Sequence, residues 1–274
     1  MKNDNHIVFD ISGVKHGDCE NSFVFDNEAV CEINSDPFIK KIVVSADISS
    51  AKFYLHNSLE ITSESLPQIC DYLYKYLGSM MISLLKNSSD YSSVSLKPTI
   101  RLSTISFSGI DTTRMVLSEH FKLNDSISFQ HRLSNGNAIL KKWIQDISIS
   151  NYTSKKDKYD ILFLLLQGNN IVQKYMAMYA YLMSLVQNIN SQPKESQKQV
   201  VQYITDNCSR VGIKIVLSPS TRPGAKPTDK EDQFTSLRNK IGHPDVANST
   251  VNISEDSVNG LVSIICCAIE DTPS

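Results

Sequence analysis

The spacing of apolar positions changes character along the chain. Up to residue 55, short apolar runs alternate with turns. His6–Ile11, Ser22–Phe25, Ala29–Ile33, Ile39–Ser45 and Ala51–Leu55 read as strands separated by Gly, Asp, Asn and Pro. A helical period follows. Leu66, Ile69, Leu73, Tyr76, Leu77, Met80, Met81, Leu84 and Leu85 recur on one face and predict a helix from about Ser65 to Lys86. Tyr72, Tyr74 and Tyr76 on this helix could stack on bases, but an amphipathic helix covering a sheet needs such residues anyway. Strand-like runs return at Val94–Leu96, Thr99–Phe107, Arg114–Leu117 and Ile127–Gln130, and Ala138–Ile147 reads as a short helix carrying Trp143.

From Tyr159 the pattern is helical. Tyr159–Gln167 is apolar and compact, and Gly168-Asn169-Asn170 interrupts it. Ile171–Ile189 carries two apolar stripes, which marks it as central or as packed against both its own domain and a partner. Glu195–Cys208 is a further helix, Val211–Leu217 reads as extended, and Ser218–Pro227 is a Pro-rich loop. Ser254 caps a last helix to about Ile269, with Glu255 and Asp256 in its first turn. The polar stretch Ser148–Lys158 reads as a linker. The expected architecture is an α+β domain over residues 1–155 followed by an all-α helical bundle over residues 156–274.

Composition narrows the chemistry. A net charge of −2 with 20% charged residues gives no global basic field, so any nucleic-acid contact depends on a local patch or a groove between copies. The longest unbroken apolar run, Ile161–Leu166, is too short to span a membrane. The polar Met1–His6 start lacks the apolar region of a signal peptide. Six cysteines form no Cys-x-x-Cys pair, which points to a reduced, cytoplasmic protein without structural zinc or disulfides. His16, Asp18 and Cys19 around Gly17 are explained by turn composition, since no second ligand pair follows. No cofactor is expected, because no phosphate-cradling glycine loop occurs.

The densest chemistry lies in Leu237-Arg238-Asn239-Lys240-Ile241-Gly242-His243-Pro244. Thr228 and Glu231 fit a capping box, predicting a helix from about Asp229 that stops at Gly242 before Pro244. At about 100° per residue, Phe234, Leu237 and Ile241 form the core stripe. Glu231, Thr235, Arg238, Asn239 and Gly242 fall on the opposite side, with His243 at its edge; the glycine permits close backbone approach. His243 sits at the negative end of the helix dipole, which favours the imidazolium. An arginine that neutralises phosphate and a histidine that moves a proton are the parts of a metal-free phosphodiester-cleaving site. The plain alternative is an arginine capping carbonyls or pairing with an acid, beside a helix-end histidine. A second pair, Arg114 and His120, is set aside because Met115 follows the arginine in a β-like segment.

Thr235 to His243 resembles the Arg-polar-x-x-x-His signature of HEPN domains, and the run from Arg222 through His243 more loosely resembles the methylamine-utilisation J group. The resemblance covers roughly the last 115 residues. It implies a helical bundle, a homodimer facing itself across the motif, and metal-independent endoribonuclease activity of the kind found in toxin and antiphage-defence systems. Arg238, His243 and Asn239 are then the catalytic candidates, with Glu231 and Thr235 supporting them. Arg222, Lys226 and Lys240 are the candidate RNA contacts. The alternative of a different class is a non-catalytic HEPN-type dimerisation module binding RNA, nucleotide or a protein partner. Residues 1–155 would sense a regulatory partner or trigger, or recognise substrate.

Overall fold

The computed structural model describes residues 5–16, 21–62, 64–87, 94–106, 131–133, 135–194, 196–220, 224–226, 228–242 and 252–273. The chain divides into two compact units. One comprises residues 1–83 and 97–149, the other residues 84–96 and 150–274.

The first unit is α+β. Its strands are β1 (His6–His16), β2 (Asn21–Phe25), β3 (Ala29–Glu32), β4 (Ile39–Val44), β5 (Ser50–Leu55), β6 (Val94–Ser106, mostly within this unit) and β7 (His131–Leu133). They form one sheet in the order β3-β4-β5-β1-β2-β7, with β6 also paired to β1. The β3–β4, β4–β5, β5–β1 and β1–β2 pairs are antiparallel, whereas β2 and β7 run parallel. Period-2 patterning sets the register: Ala51, Phe53 and Leu55 of β5 point to the same buried face as Ile7, Phe9 and Ile11 of β1. Helix α1 (Ser65–Lys86) covers this face through Ile69, Leu73, Tyr76, Leu77 and Met80. Phe53 meets Phe9 and Tyr76 edge-on at 5.7 and 6.0 Å. The α1 tyrosines serve the fold. Tyr76 is buried, Tyr72 donates to Asp36 at 2.6 Å, and Tyr74 donates to the Ile100 carbonyl at 3.1 Å. Helix α2 (Gly136–Gln145) buries Leu140 and Trp143.

The second unit is helical: α3 (Ile149–Ser154, mostly within it), α4 (Lys156–Leu166), α5 (Ile171–Ile189), α6 (Gln197–Asn207), α7 (Gln233–Gly242) and α8 (Glu255–Asp271). A two-residue hairpin, β8 (Ser218–Pro219) with β9 (Lys230–Glu231), precedes α7. Residues 148–158 are therefore mostly helix and not a polar linker. Tyr152 is buried and stacks on Tyr159 at 5.9 Å, and buried Lys155 donates to the Thr272 carbonyl at the end of α8. That places a cation at the negative end of a helix dipole.

Helix α5 is the central element of this unit, packed against α4, α6, α7 and α8. Tyr175, Met178, Leu182 and Leu185 of its first stripe are buried, as are Tyr179 and Val186 of the second. Its two-sided pattern is thus largely satisfied within the unit. Helix α8 is buried along nearly its whole length, from Val258 to Ile269, and Ser254 caps it by accepting from the Ser257 N–H at 3.2 Å. Among the described residues, no helix is long and apolar enough to cross a membrane.

Candidate functional site

Helix α7 starts later than the capping box at Thr228 predicts. Its cap is Asp232, whose Oδ1 accepts from the Phe234 and Thr235 N–H groups at 2.8 and 3.0 Å. Lys230 and Glu231 are held in the hairpin opposite Ser218 and Pro219, so they cannot enter the helix.

The helix also turns its polar side inward. Phe234, Thr235, Ser236 and Asn239 are buried, while Leu237 and Ile241 of the expected core stripe are only half-buried. Burial of polar side chains requires partners, and they are present. The Thr235 hydroxyl donates to Asp232 Oδ2 at 2.7 Å. Its single proton is thereby committed, so Tyr179, 2.8 Å away, donates to Thr235. Tyr175 donates to the Phe234 carbonyl at 3.0 Å. Burial raises the Asp232 carboxyl above its ordinary value, and the hydrogen bonds from Thr235 and Phe234 oppose this without cancelling it. Burial likewise pushes the Tyr175 and Tyr179 phenols up.

A second network surrounds Asn239, which is 2% exposed. Its Nδ2 donates to Glu231 Oε2 at 2.8 Å, and its Oδ1 accepts from Gln197 Nε2 at 2.9 Å and from Arg238 Nη1 at 3.1 Å. Glu231, 1% exposed, also accepts from the Ser220 hydroxyl at 2.9 Å. With donors on both sides of Oδ1 and a carboxylate at Nδ2, the orientation of the amide is fixed by its neighbours.

Arg238 is half-buried on the second turn of α7. Among the described residues its guanidinium makes one hydrogen bond, to Asn239, and pairs with no carboxylate. Its remaining N–H groups can engage two oxygens of an anion such as phosphate. Gly242 does not create this arrangement: a Cβ there would stand 3.8 Å from Arg238 Nη1, an ordinary contact.

Of the residues expected at the site, Arg238, Asn239, Glu231 and Thr235 therefore belong to connected or neighbouring networks on α7 and β9. Lys240 is exposed in the last turn, and Lys226 is exposed in a turn closed on Asp229 at 2.9 Å. His243 and Arg222 lie outside the described residues, as do Arg114, His120, Asp18 and Cys19. Gln197, Ser220, Asp232 and Tyr179 complete the networks and carry no local sequence signal beyond the cap-forming character of Asp232. Among the described residues, no group of three or more His, Cys, Asp or Glu is placed to hold a metal ion.

A cleft of about 420 Å³ opens beside the Asn239 network, between α6 and the β8–β9 hairpin, and reaches Gln197, Glu231 and Thr235. No protein-family model, curated protein or solved structure matches this chain.

Proposed function

We propose that this chain is a metal-independent endoribonuclease of the HEPN type. The observation that carries the reading is the state of Arg238: tethered by one N–H to a buried amide that Glu231 and Gln197 hold, paired with no acid among the described residues, and five residues before His243. The plain alternative, an arginine consumed by an ion pair, is thereby disfavoured. In the proposed reaction the 2′-hydroxyl of the RNA attacks the adjacent phosphorus. His243 takes the hydroxyl proton or protonates the leaving 5′-oxygen. Arg238 binds the phosphate and stabilises the charge that grows on it in the transition state. Asn239 keeps the guanidinium aimed, and Lys226, Lys240 and Arg222 contribute charge to the strand. A second copy of the chain supplies the complementary acid or base. The exposed α4 residues Ile161 and Leu164 provide apolar surface for that copy.

The decisive experiment incubates the purified full chain with RNA in EDTA. Cleavage that leaves a 2′,3′-cyclic phosphate, fails on a substrate with 2′-deoxy at the scissile nucleotide, and is abolished by His243→Ala and Arg238→Ala supports the reading. Arg238→Lys should rescue only in part, since lysine lacks the planar fork. Arg114→Ala with His120→Ala should leave cleavage intact. Undiminished cleavage by His243→Ala, or a strict need for magnesium, removes this mechanism, and no cleavage by the wild-type chain moves the protein to the second reading, a non-catalytic module that binds RNA, nucleotide or a protein partner. The full burial of Asn239 in a satisfied network is the observation that favours this second reading.

A further inference from the structure

The cleft beside α7 has a composition that the reaction at Arg238 does not by itself require. One wall is a face of α6. Gln197, Val201 and Thr205 recur there at i, i+4 and i+8, while Val200, Tyr203 and Ile204 point to the core. The other wall is Leu217 and the hairpin. Lys198 and Lys230, both exposed, stand one on each wall. The cleft thus offers two apolar side chains, amides and hydroxyls, and two cations at its rim; the carboxylates of Asp229 and Glu231 also line it, the first accepting from the Lys226 N–H and the second from Asn239 and Ser220. Apolar side chains fit the face of a nucleobase. Amides and hydroxyls fit its hydrogen-bonding edge, and cations fit its phosphate. Its volume of about 420 Å³ lies in the range of small-molecule pockets and is of the order of a single nucleotide.

Position adds the second argument. Gln197 and Glu231 line the cleft and also hold Asn239, at 2.9 and 2.8 Å, and Asn239 holds Arg238 at 3.1 Å. An occupant touching Gln197 or Glu231 is therefore two hydrogen bonds from the guanidinium. Glu231 and Asn239 are buried, and the network meets the cleft chiefly through the half-buried Gln197.

We infer that the cleft between α6 and the β8–β9 hairpin is a nucleotide subsite, and that Gln197 and Asn239 link its occupancy to the position of Arg238. This rests on the ribonuclease reading for the origin of the nucleotide, which is the residue of the RNA strand next to the scissile phosphate. Val201, Lys198 and Lys230 are binding residues of the subsite, and Gln197 is a positioning residue for Arg238.

The test uses the full chain and the four nucleoside 5′-monophosphates, followed by calorimetry and by NMR of the Gln197 and Asn239 side-chain amides and the Arg238 Nε–H. At least one nucleotide should bind saturably and shift all three signals. Val201→Trp fills the cleft, and Lys230→Glu reverses a rim charge on an exposed side chain. Each should weaken binding by about tenfold or more. On an RNA oligonucleotide both should raise KM and leave kcat near the wild-type value, whereas Gln197→Leu should lower kcat. No saturable binding of any of the four nucleotides, or unchanged affinity in Lys230→Glu, overturns the inference even if Val201→Trp fails to fold. The two proposals separate cleanly. Nucleotide binding lost on Lys230→Glu, in a protein that cleaves no RNA, keeps the subsite and removes the ribonuclease. RNA cleavage in EDTA with unchanged KM in both cleft variants keeps the ribonuclease and removes the subsite.

Discussion

The side-chain amide of Asn239 donates to the buried carboxylate of Glu231 at 2.8 Å, joining α7 to the hairpin that precedes it. Asn239→Asp keeps the shape of the side chain and replaces that donor with a second carboxylate. Two buried carboxylates in contact repel each other, and breaking a buried charged network costs about 3–5 kcal/mol. The variant should lose stability of this order at neutral pH. It should recover part of it in acid, where one of the two carboxyls holds a proton. Urea unfolding at pH 7 and at pH 4.5 checks this, and equal losses at the two pH values would exclude a charge origin.

Asp232 predicts a different pH response. Its folded carboxyl is raised above its ordinary value of 3.8, chiefly by burial. The folded state therefore holds the proton more tightly than the unfolded state. Its contribution to stability is complete below the ordinary value and is lost as pH rises through the raised one. Asp232→Asn retains an oxygen that accepts from the Phe234 and Thr235 N–H groups and carries no charge to desolvate. The stability of the variant relative to wild type should rise with pH across this window and then level off. Denaturant unfolding of both proteins from pH 3.5 to 8 measures the difference. A difference independent of pH would show that Asp232 does not titrate with folding.

How much of this was legible in the sequence depends on whether local or distant contacts decide the outcome. Helix α1 runs from Ser65 to Lys86, as its long apolar period predicts, because a helix on a sheet needs one stripe and the stripe is continuous. The start of α7 was not legible. Thr228 and Asp232 both precede a run that reads as helix, and acids at 229 and 231 suit a first turn. Pairing of Lys230 and Glu231 with Ser218 and Pro219, more than ten residues earlier, decides between them. The inward face of α7 was missed for the same reason. Apolar residues are expected inside, yet Thr235 and Asn239 are buried because Tyr179, Glu231 and Gln197 meet them there. Those partners come from three separate elements. Arg238 and Asn239, in contrast, were visible as neighbours in a motif.

Gly260 in α8 is a steric requirement. A Cβ at this position would stand 2.8 Å from Phe234 Cζ and 3.0 Å from Cε1. Both helices are buried at this crossing, so relief requires the ring or a helix to move. Gly260→Ala should destabilise the protein by about 1–3 kcal/mol despite the gain in helix propensity. Phe234→Leu shortens the ring side and should cost stability alone, yet the double variant should lose less than the sum of the two. A double-mutant cycle in urea measures that coupling. Strict additivity would mean that the two residues do not press on each other.

Gly242 makes the opposite case, and it bears on the proposed site. It closes α7 four residues after Arg238, at an exposed position, without a left-handed backbone. Among the described residues a Cβ there meets only Arg238 Nη1, at 3.8 Å, a normal contact distance. Alanine reduces the conformational freedom of the unfolded chain and favours the helix. Gly242→Ala should therefore raise stability by about 0.4–1 kcal/mol. The guanidinium stays tethered to Asn239, so its geometry should be preserved and RNA cleavage should keep its wild-type kcat. Thermal unfolding and single-turnover cleavage check the two halves. A stabilised variant with lost cleavage would mean that the glycine leaves room for substrate next to Arg238. A destabilised variant would mean that the end of α7 adopts a backbone that alanine resists.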